Sequence, residues 1–268
     1  MTKKSFKTII IICCLLTAVF FTTAFAEVQP CGGALFQVST LKALMLGQYD
    51  GVIPADEFLA HGDTGLGTVD KLDGEMITLD GVMYQIKGDG TVAEVDATGS
   101  IPFGVVTNFE ARSEVSIAAP VNGMTNLTAY LDAQTGVEEN PNSIYVVRID
   151  GGFAQVKTRS VPAQQQPYPP LAEVTAQQNE FEFKKLDGTI VGVYFPDFFA
   201  DFNMHGWHLH FLSADRQKGG HLLDATVESG TLAIAPVSNF NLLLPDTPAF
   251  AQAKLTEDMS AEIEAAEK

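Results

Sequence analysis

Short apolar-alternating segments, separated by Asp-Gly pairs, constrain the fold of this chain most strongly. Alternation with a period of two is typical of half-buried strands, and Asp-Gly favours the tight turns that join antiparallel strands. We expect four such turns, at Asp80-Gly81, within 87–90 (KGDG), at Asp150-Gly151-Gly152 and at Asp187-Gly188. The pattern therefore predicts a fold rich in antiparallel β-sheet.

Helical patterns are fewer. Apolar residues at helical spacing follow a Ser39 cap in the segment 39–47, and a second such pattern covers 124–136. A third covers 256–268, with Thr256 as its cap and acidic residues in its first turn. This mixture predicts an α+β fold with mixed and antiparallel sheets in two β-rich halves and few helices.

A Gln- and Pro-rich segment, 160–178, divides the chain. It is either a linker between the two halves or an extended segment packed on the surface. We place the boundary at residue 165. The prediction is an N-terminal β-rich α+β domain over 27–165 and a C-terminal metal-binding β domain with a terminal helix over 166–268.

The N-terminus has the features of a targeting segment. Three lysines precede an apolar run over 9–21, and Ala24-Phe25-Ala26 follows it as an A-x-A cleavage pattern. This arrangement predicts a secretory signal peptide over residues 1–26, cleaved after Ala26. The apolar run is short for a membrane span, so we expect an exported protein with no membrane attachment after cleavage.

The remaining composition limits the classes of partner. Cys13 and Cys14 would leave with the signal peptide, so Cys31 alone remains and no intramolecular disulfide is expected. The formal charge of the whole chain is −17, and without residues 1–26 there are 13 basic and 33 acidic residues, a charge of −20. Such a surface repels phosphate backbones, so nucleic acid is not an expected partner. An anionic substrate would need local attraction by a metal ion or an arginine.

Three of the five histidines lie in the segment 206–221, GWHLHFLSADRQKGGH. In a strand His208 and His210 point to the same face, and their apolar neighbours point to the other. A polar loop ending in two glycines then leads back to His221, so three imidazoles would converge on one β-hairpin. Three histidines with an open fourth position are the ligand set of a catalytic zinc site, although imidazole also suits copper, nickel and iron.

The other two histidines, His61 and His205, are expected to be structural or exposed, since His205 has the wrong phase for the strand face. An H-x-H pair also occurs in cupins, where a glutamate follows a few residues later and the last histidine lies much farther along the chain. Asp215 stands where that glutamate would be, and His221 comes too early. The cupin pattern therefore fits poorly.

Four motifs, in order, resemble the α-acetolactate decarboxylase family: LFQVSTLKALMLGQYDG, GDTGLGTVDKLDGEMI, VKTRSVPAQQQPYPPLAEVT and WHLHFLSADRQKGGHLLD. The resemblance extends from about Ala34 to the C-terminal helix. Enzymes of this family convert 2-acetolactate to acetoin and carbon dioxide, with zinc held by three histidines. The resemblance thus implies Zn²⁺ on His208, His210 and His221, and also a homodimer.

The resemblance also implies roles for residues that their own chemistry does not single out. It places Glu75, Arg159 and Glu267 in catalysis, with Glu264 as the competitor of Glu267. It places Thr68 and Arg159 in substrate binding. Taken alone, Glu75 is a strand-end acid, Arg159 a solvated arginine and Glu267 a terminal helix acid. Only the histidine cluster is predicted from the residues themselves.

The mechanism implied is decarboxylation through a metal-stabilised enediolate. We expect zinc to bind the ketone and hydroxyl oxygens of the substrate, Arg159 to orient its carboxylate, and Glu75 or Glu267 to deliver a proton. Two alternatives remain at this point. One is a secreted zinc hydrolase or hydratase, because the same ligand set can activate water. The other is a metal-binding β protein without turnover.

Overall fold

The computed structural model describes residues 33–267. The predicted signal peptide and Cys31 lie outside these residues, so both stay predictions. The described strands are β1 Gly33–Val38, β2 Ile53–Pro54, β3 Thr64–Thr68, β4 Glu75–Leu79, β5 Val82–Ile86, β6 Val92–Glu94, β7 Ser100–Ile101, β8 Phe103–Thr107, β9 Ser113–Ile117, β10 Val121–Asn122, β11 Ile144–Ser160, β12 Asn179–Phe195, β13 Gly206–Ser213 and β14 Gly219–Leu243.

The helices are short and lie outside the main sheet. They are α1 Leu41–Met45, α2 Ala55–Leu59, α3 Met124–Thr135, α4 Leu171–Thr175, α5 Pro248–Gln252 and α6 Ser260–Glu267, with 3-10 turns at Asp70–Leu72 and Asp197–Phe199. Within residues 33–267, none of the helices has the length and apolar character needed to cross a bilayer.

One 12-stranded sheet organises the molecule, in the order β11-β12-β13-β14-β1-β8-β3-β4-β5-β6, with β9 and β10 paired to β14. The β1–β14 pair is parallel and the other pairs are antiparallel. Because β11 also pairs with β14, strands β11 to β14 close into a ring. The predicted α+β class, with mixed and antiparallel sheet and few helices, is confirmed.

The segment 160–178 packs against the rest of the chain. Its helix α4 buries Leu171 and Val174 in a cluster with residues of α1 and α6. Strand β11, before the predicted boundary at residue 165, pairs with β12 and β14 after it. The division into two separate domains stays a prediction.

Two of the four predicted turns are confirmed. Asp80 and Gly81 join β4 to β5 with φ of 53° and 78°, which is the positive-φ pair of a type I′ turn. Between β5 and β6, the amide of Gly90 donates to the carbonyl oxygen of Lys87 at 2.8 Å. Both turns join neighbouring antiparallel strands, as expected.

The other two predicted turns are wrong. Strand β11 continues through Asp150-Gly151-Gly152, and β12 continues through Asp187-Gly188. Gly151 pairs with Gly188 on one side and with Gly230 of β14 on the other. A Cβ at Gly151 would collide with the Ser229 carbonyl oxygen. These glycines therefore allow three long strands to approach closely at one level, which is the second common use of glycine in sheets.

Two helices begin later in the chain than the sequence predicts. Helix α1 is capped by Thr40, whose Oγ1 accepts from the Ala43 amide at 3.2 Å, and not by Ser39. The C-terminal helix begins at Ser260 and not near Thr256, because Asp258 accepts hydrogen bonds from the amide and the hydroxyl of Ser260. The preceding residues, 253–259, run outside regular helix.

Two apolar clusters frame the region where the histidines lie. One packs α3 against β11 to β14 and contains Leu209 and Phe211. The other joins α1, α4 and α6, with Leu44, Leu171 and Ile263 among its members. The histidine face of β13 turns away from the first cluster, as the alternation predicted.

The close approach of β11, β12 and β14 at Gly151, Gly188 and Gly230 can be tested directly. Gly151→Ala should lower the free energy of unfolding by about 1–3 kcal/mol, because the added methyl group would collide with the backbone of Ser229 and Gly230 in β14. At Gly152 the nearest atom to an added Cβ would be Asp187 Oδ1 at 3.4 Å, an ordinary contact. Gly152→Ala is therefore the matched control, with an effect below about 0.5 kcal/mol in urea unfolding. Equal effects of the two substitutions would contradict the role of Gly151 in the close approach of the strands.

Candidate active site

The three predicted ligands converge. His208 and His210 lie on one face of β13, and His210 pairs directly with His221 near the start of β14. The loop that returns the chain is only residues 214–218. All three side chains are buried, with His210 fully enclosed. A short hairpin with alternating side chains is thus sufficient to bring the three rings together.

The ring nitrogens have the spacing of a metal site. His208 Nε2 lies 3.2 Å from His210 Nε2 and 3.1 Å from His221 Nδ1. Nitrogens bound tetrahedrally at about 2.0–2.1 Å from zinc would be about 3.3 Å apart. The donor atoms His208 Nε2, His210 Nε2 and His221 Nδ1 therefore fit one shared metal ion.

A main-chain carbonyl fixes the orientation of one ring. His210 Nδ1 donates to the Met76 carbonyl oxygen at 2.8 Å. Because a carbonyl can only accept, the proton of neutral His210 sits on Nδ1, and Nε2 keeps its lone pair for the metal. A carbonyl that orients a histidine ligand in this way is the usual second partner of such a ring.

The surroundings keep the imidazoles neutral. Burial and, after it, the nearby positive charge of Arg159 together lower the pKa of His208 to about 3. Burial also lowers the pKa of His210, followed by the effects of His208 and Arg159, while the hydrogen bond to Met76 acts in the opposite direction. Neutral imidazole is the form that binds a metal ion, so the cluster is prepared for one at ordinary pH.

The structure brings Arg159, Glu75 and Thr68 to the same place. Arg159 of β11 pairs in register with His221 and is 4% exposed. Glu75 opens β4, and its Oε2 lies 3.5 Å from His210 Nε2. Thr68 pairs with Glu75 across β3 and β4, and its hydroxyl donates to the Gly74 carbonyl at 2.7 Å.

These polar groups line a small cavity of about 30 Å³. The rest of the cavity wall consists mainly of apolar and small residues. They are Leu44, Gly67, Leu72, Phe103, Val161, Leu171 and Thr175. An apolar wall with a few convergent polar groups is typical of a small-molecule site.

The structure describes the backbone of the two predicted C-terminal acids but not their side chains. Glu267 is the last residue of α6, and Glu264 lies one turn earlier, but both side chains lie outside the described part of the chain. Their neighbours Ile263 and Ala266 are buried in the cluster that includes Leu44 and Leu171 of the cavity wall. Helix α6 therefore packs against the cavity.

The remaining histidines lie outside the cluster. His205 is exposed, and His61 is an exposed ring stacked on Phe36 with centroids 3.7 Å apart. Both agree with the expectation of a structural or exposed role.

Sequence reasoning missed two parts of the site. The Met76 carbonyl is a backbone atom and leaves no signal in residue type. The apolar wall did leave a signal, because Leu44, Leu72 and Leu171 lie inside the motifs that carry the family resemblance.

The ligand assignment predicts metal content. His208→Ala or His221→Ala should lower the bound metal from about one ion to less than ~0.1 ion per chain after dialysis, because two imidazoles hold an ion poorly. His205→Ala, three residues before His208 and exposed, should retain the full amount. Elemental analysis of the three dialysed variants measures the metal content. A full equivalent of metal on His221→Ala would refute the assignment.

Comparison with known proteins identifies the family of this chain. The family model of alpha-acetolactate decarboxylase matches residues 35–257. The alpha-acetolactate decarboxylase of Brevibacillus brevis is 41% identical over 233 residues, which is 87% of this chain and 80% of that protein. That of Methanosarcina mazei is 42% identical over 234 residues, with the same coverage of 87% and 80%. The crystal structure of alpha-acetolactate decarboxylase from Bacillus subtilis strain 168 superposes with a TM-score of 0.83 at 36% identity, covering 87% of this chain and 99% of that one. The chain therefore belongs to the α-acetolactate decarboxylase family.

Proposed function

We propose that this protein is a carboxy-lyase that converts 2-acetolactate to acetoin and carbon dioxide, with Zn²⁺ held by His208, His210 and His221. One observation carries the proposal. Three buried histidine nitrogens lie within 3.1 and 3.2 Å of one another, and His208 and His221 line a cavity together with Arg159 and Glu75. Membership of the family supports the choice of substrate.

Zinc is the metal that the ligand set favours. Three neutral imidazoles with further positions open are typical of catalytic zinc, although copper, nickel and iron also accept such ligands. When bound, the ion would supply Lewis-acid stabilisation of the negative charge that develops on substrate oxygens.

The substrate carries its own electron sink. Loss of carbon dioxide leaves an electron pair on the carbon next to the ketone, and the ketone accepts it as an enediolate. No organic cofactor is therefore needed. The apolar wall, with Leu44, Phe103 and Leu171, excludes water and so strengthens each electrostatic interaction in the cavity.

Arg159 is proposed to bind and orient the substrate carboxylate. Its guanidinium is charged at any working pH and presents a planar fork that matches a carboxylate. It lines the cavity beside His208 and His221. The formal charge of the chain is −17, so this buried cation supplies the local attraction that an anionic substrate requires.

Glu75 is proposed to deliver the proton that completes acetoin. Its side chain is 12% exposed and reaches to 3.5 Å from His210 Nε2, so it can contact a substrate held at the histidines. Because it approaches from one side, the proton arrives on one face and the acetoin is chiral. Glu267 is the second candidate for this step, and Thr68 is proposed to contribute to substrate binding beside Glu75.

Two further properties belong to the same proposal. The lysines and apolar run of residues 1–26 support export with cleavage after Ala26. The family resemblance supports a homodimer. The partner of the enzyme is a small molecule and not a nucleic acid, in keeping with its acidic charge.

Turnover and its metal dependence can be tested together. The purified chain starting at Glu27 should form acetoin rapidly from racemic 2-acetolactate, lose that activity after chelation, and regain it with Zn²⁺. Colorimetric acetoin determination measures each step. Absence of acetoin from a folded, zinc-loaded protein would overturn the proposal and favour the hydrolase, hydratase or binding alternatives.

Glu75→Gln tests the proton donor. This substitution keeps the shape of the side chain but removes its ionisable group. We therefore expect kcat to fall by about a hundredfold or more, as for loss of a general acid. Zinc content should be unchanged, because Glu75 is not among the three ligands. Glu94→Gln, an exposed acid on β6, is the control and should keep full activity. Normal turnover by Glu75→Gln would remove Glu75 from the mechanism.

A further inference from the structure

Lys42 is a buried charge that the proposed chemistry does not use. It lies in the short helix α1, all five residues of which are buried, and its side chain is only 8% exposed. An ammonium group removed from water is costly unless it is paired and hydrogen-bonded. Its partners therefore indicate why a lysine occupies this position.

The Lys42 ammonium joins two other segments to α1. Nζ lies 2.6 Å from Asp201 Oδ1, in the loop before β13, and donates to the Glu257 carbonyl oxygen at 3.0 Å. Its charge also acts on Asp258, whose pKa is lowered first by hydrogen bonds from Ser260 and then by the Lys42 charge. Glu257 and Asp258 lie in the turn shortly before helix α6, which begins at Ser260.

The loop that carries Asp201 is fixed to the core. The carbonyl of Phe202 accepts from the Leu41 amide at 2.8 Å and from the Gln37 side chain at 2.9 Å. Asn203, also buried, donates to Gln37 Oε1 at 2.9 Å. Two of the three segments that meet at Lys42 are thus anchored, so the bond to Glu257 acts mainly on the C-terminal segment.

The C-terminal segment packs in the same apolar cluster as one wall of the cavity. Ile263 and Ala266 of α6 are buried in the cluster that contains Leu44 and Leu171, and these two leucines line the cavity. A cavity of about 30 Å³ has room for one or two water molecules, which is far less than 2-acetolactate requires. One wall must therefore move to admit the substrate, and the polar walls are strands held in the sheet.

We infer that Lys42 is a positioning residue that holds the segment 253–267 against the apolar wall of the active-site cavity. The effect on turnover rests on the proposed function, whereas the effect on the segment follows from the contacts of Lys42. Release of the segment lets the wall with Leu44 and Leu171 move and admits the substrate. Return of the segment, stabilised by the bond from Lys42 to Glu257, restores the packed wall around the substrate.

The test compares Lys42→Met with the unmodified, zinc-loaded chain. Methionine keeps the apolar stem and removes the charge. Hydrogen exchange of residues 253–267 should become about tenfold faster, the scale of one charge-assisted hydrogen bond, while exchange in β11 stays unchanged. Turnover should show kcat lower by about fivefold with KM within about twofold, because the groups that bind the substrate are intact.

Three further variants serve as controls for Lys42→Met. The first is Lys254→Met, because Lys254 lies in the same segment. Its Nζ is 3.7 Å from Glu257 Oε1, but its side chain is 80% exposed. Lys254→Met should change neither exchange nor kcat. Lys42→Arg, which keeps the charge and the donors, should restore both. Asp201→Asn removes the exposed carboxylate partner and should give a smaller change in the same direction, even if Lys42→Met folds poorly.

The two proposals fail differently. Unchanged exchange of 253–267 in both Lys42→Met and Asp201→Asn would overturn the role of Lys42, whatever the activity. Faster exchange with unchanged kcat would also overturn it, since return of the segment would then be unimportant for turnover. Absence of acetoin from the unmodified chain would refute the proposed function, and the exchange measurements would still decide whether Lys42 holds the segment.

Discussion

The candidate site depends on one hydrogen bond between strands that are far apart in sequence. His210 Nδ1 donates to the carbonyl of Met76, 134 residues earlier. This bond sets the tautomer of His210 and so exposes its Nε2 to the metal position. It also holds β4 against β13, and Glu75, the residue before Met76, reaches the histidines for that reason. If β4 lay a few ångströms away, the chain would keep three histidines but lose the carboxylate beside them.

The histidine cluster could be predicted because its geometry is local. Alternation along β13 and a short return to β14 place His208, His210 and His221 together, whatever the rest of the fold does. Asp80-Gly81 was predictable for the same reason, since a two-residue turn with positive φ depends on its own residues. The family resemblance added Glu75, Thr68 and Arg159, which no local pattern distinguishes from ordinary polar residues.

The wrong predictions have a non-local cause. The sequence IDGG in β11 resembles a turn as closely as LDGV does, but in the structure Gly151 faces Gly188 and Gly230 across neighbouring strands. A glycine that allows backbones to approach and a glycine that allows a turn look alike in sequence. The distinction appears only when the partner strands are known. The register that brings Arg159 opposite His221 is equally invisible, because it joins strands separated by most of the C-terminal half.

The positive charge of Arg159 favours an anionic ligand in the cavity. An apolar wall alone would not favour one. Of the described side chains that line the cavity, Glu75 is the only carboxylate and Arg159 is the only basic side chain other than histidine. Arg159 helps to keep His208 neutral, since its charge lowers the pKa of that ring after the larger effect of burial. The same charge would repel a divalent metal ion at the histidines, whereas the Glu75 carboxylate would attract it. An anionic substrate between such an ion and Arg159 would be attracted by both, because charges interact strongly in a medium of low polarity. This local attraction would allow a strongly acidic protein to bind a negatively charged molecule.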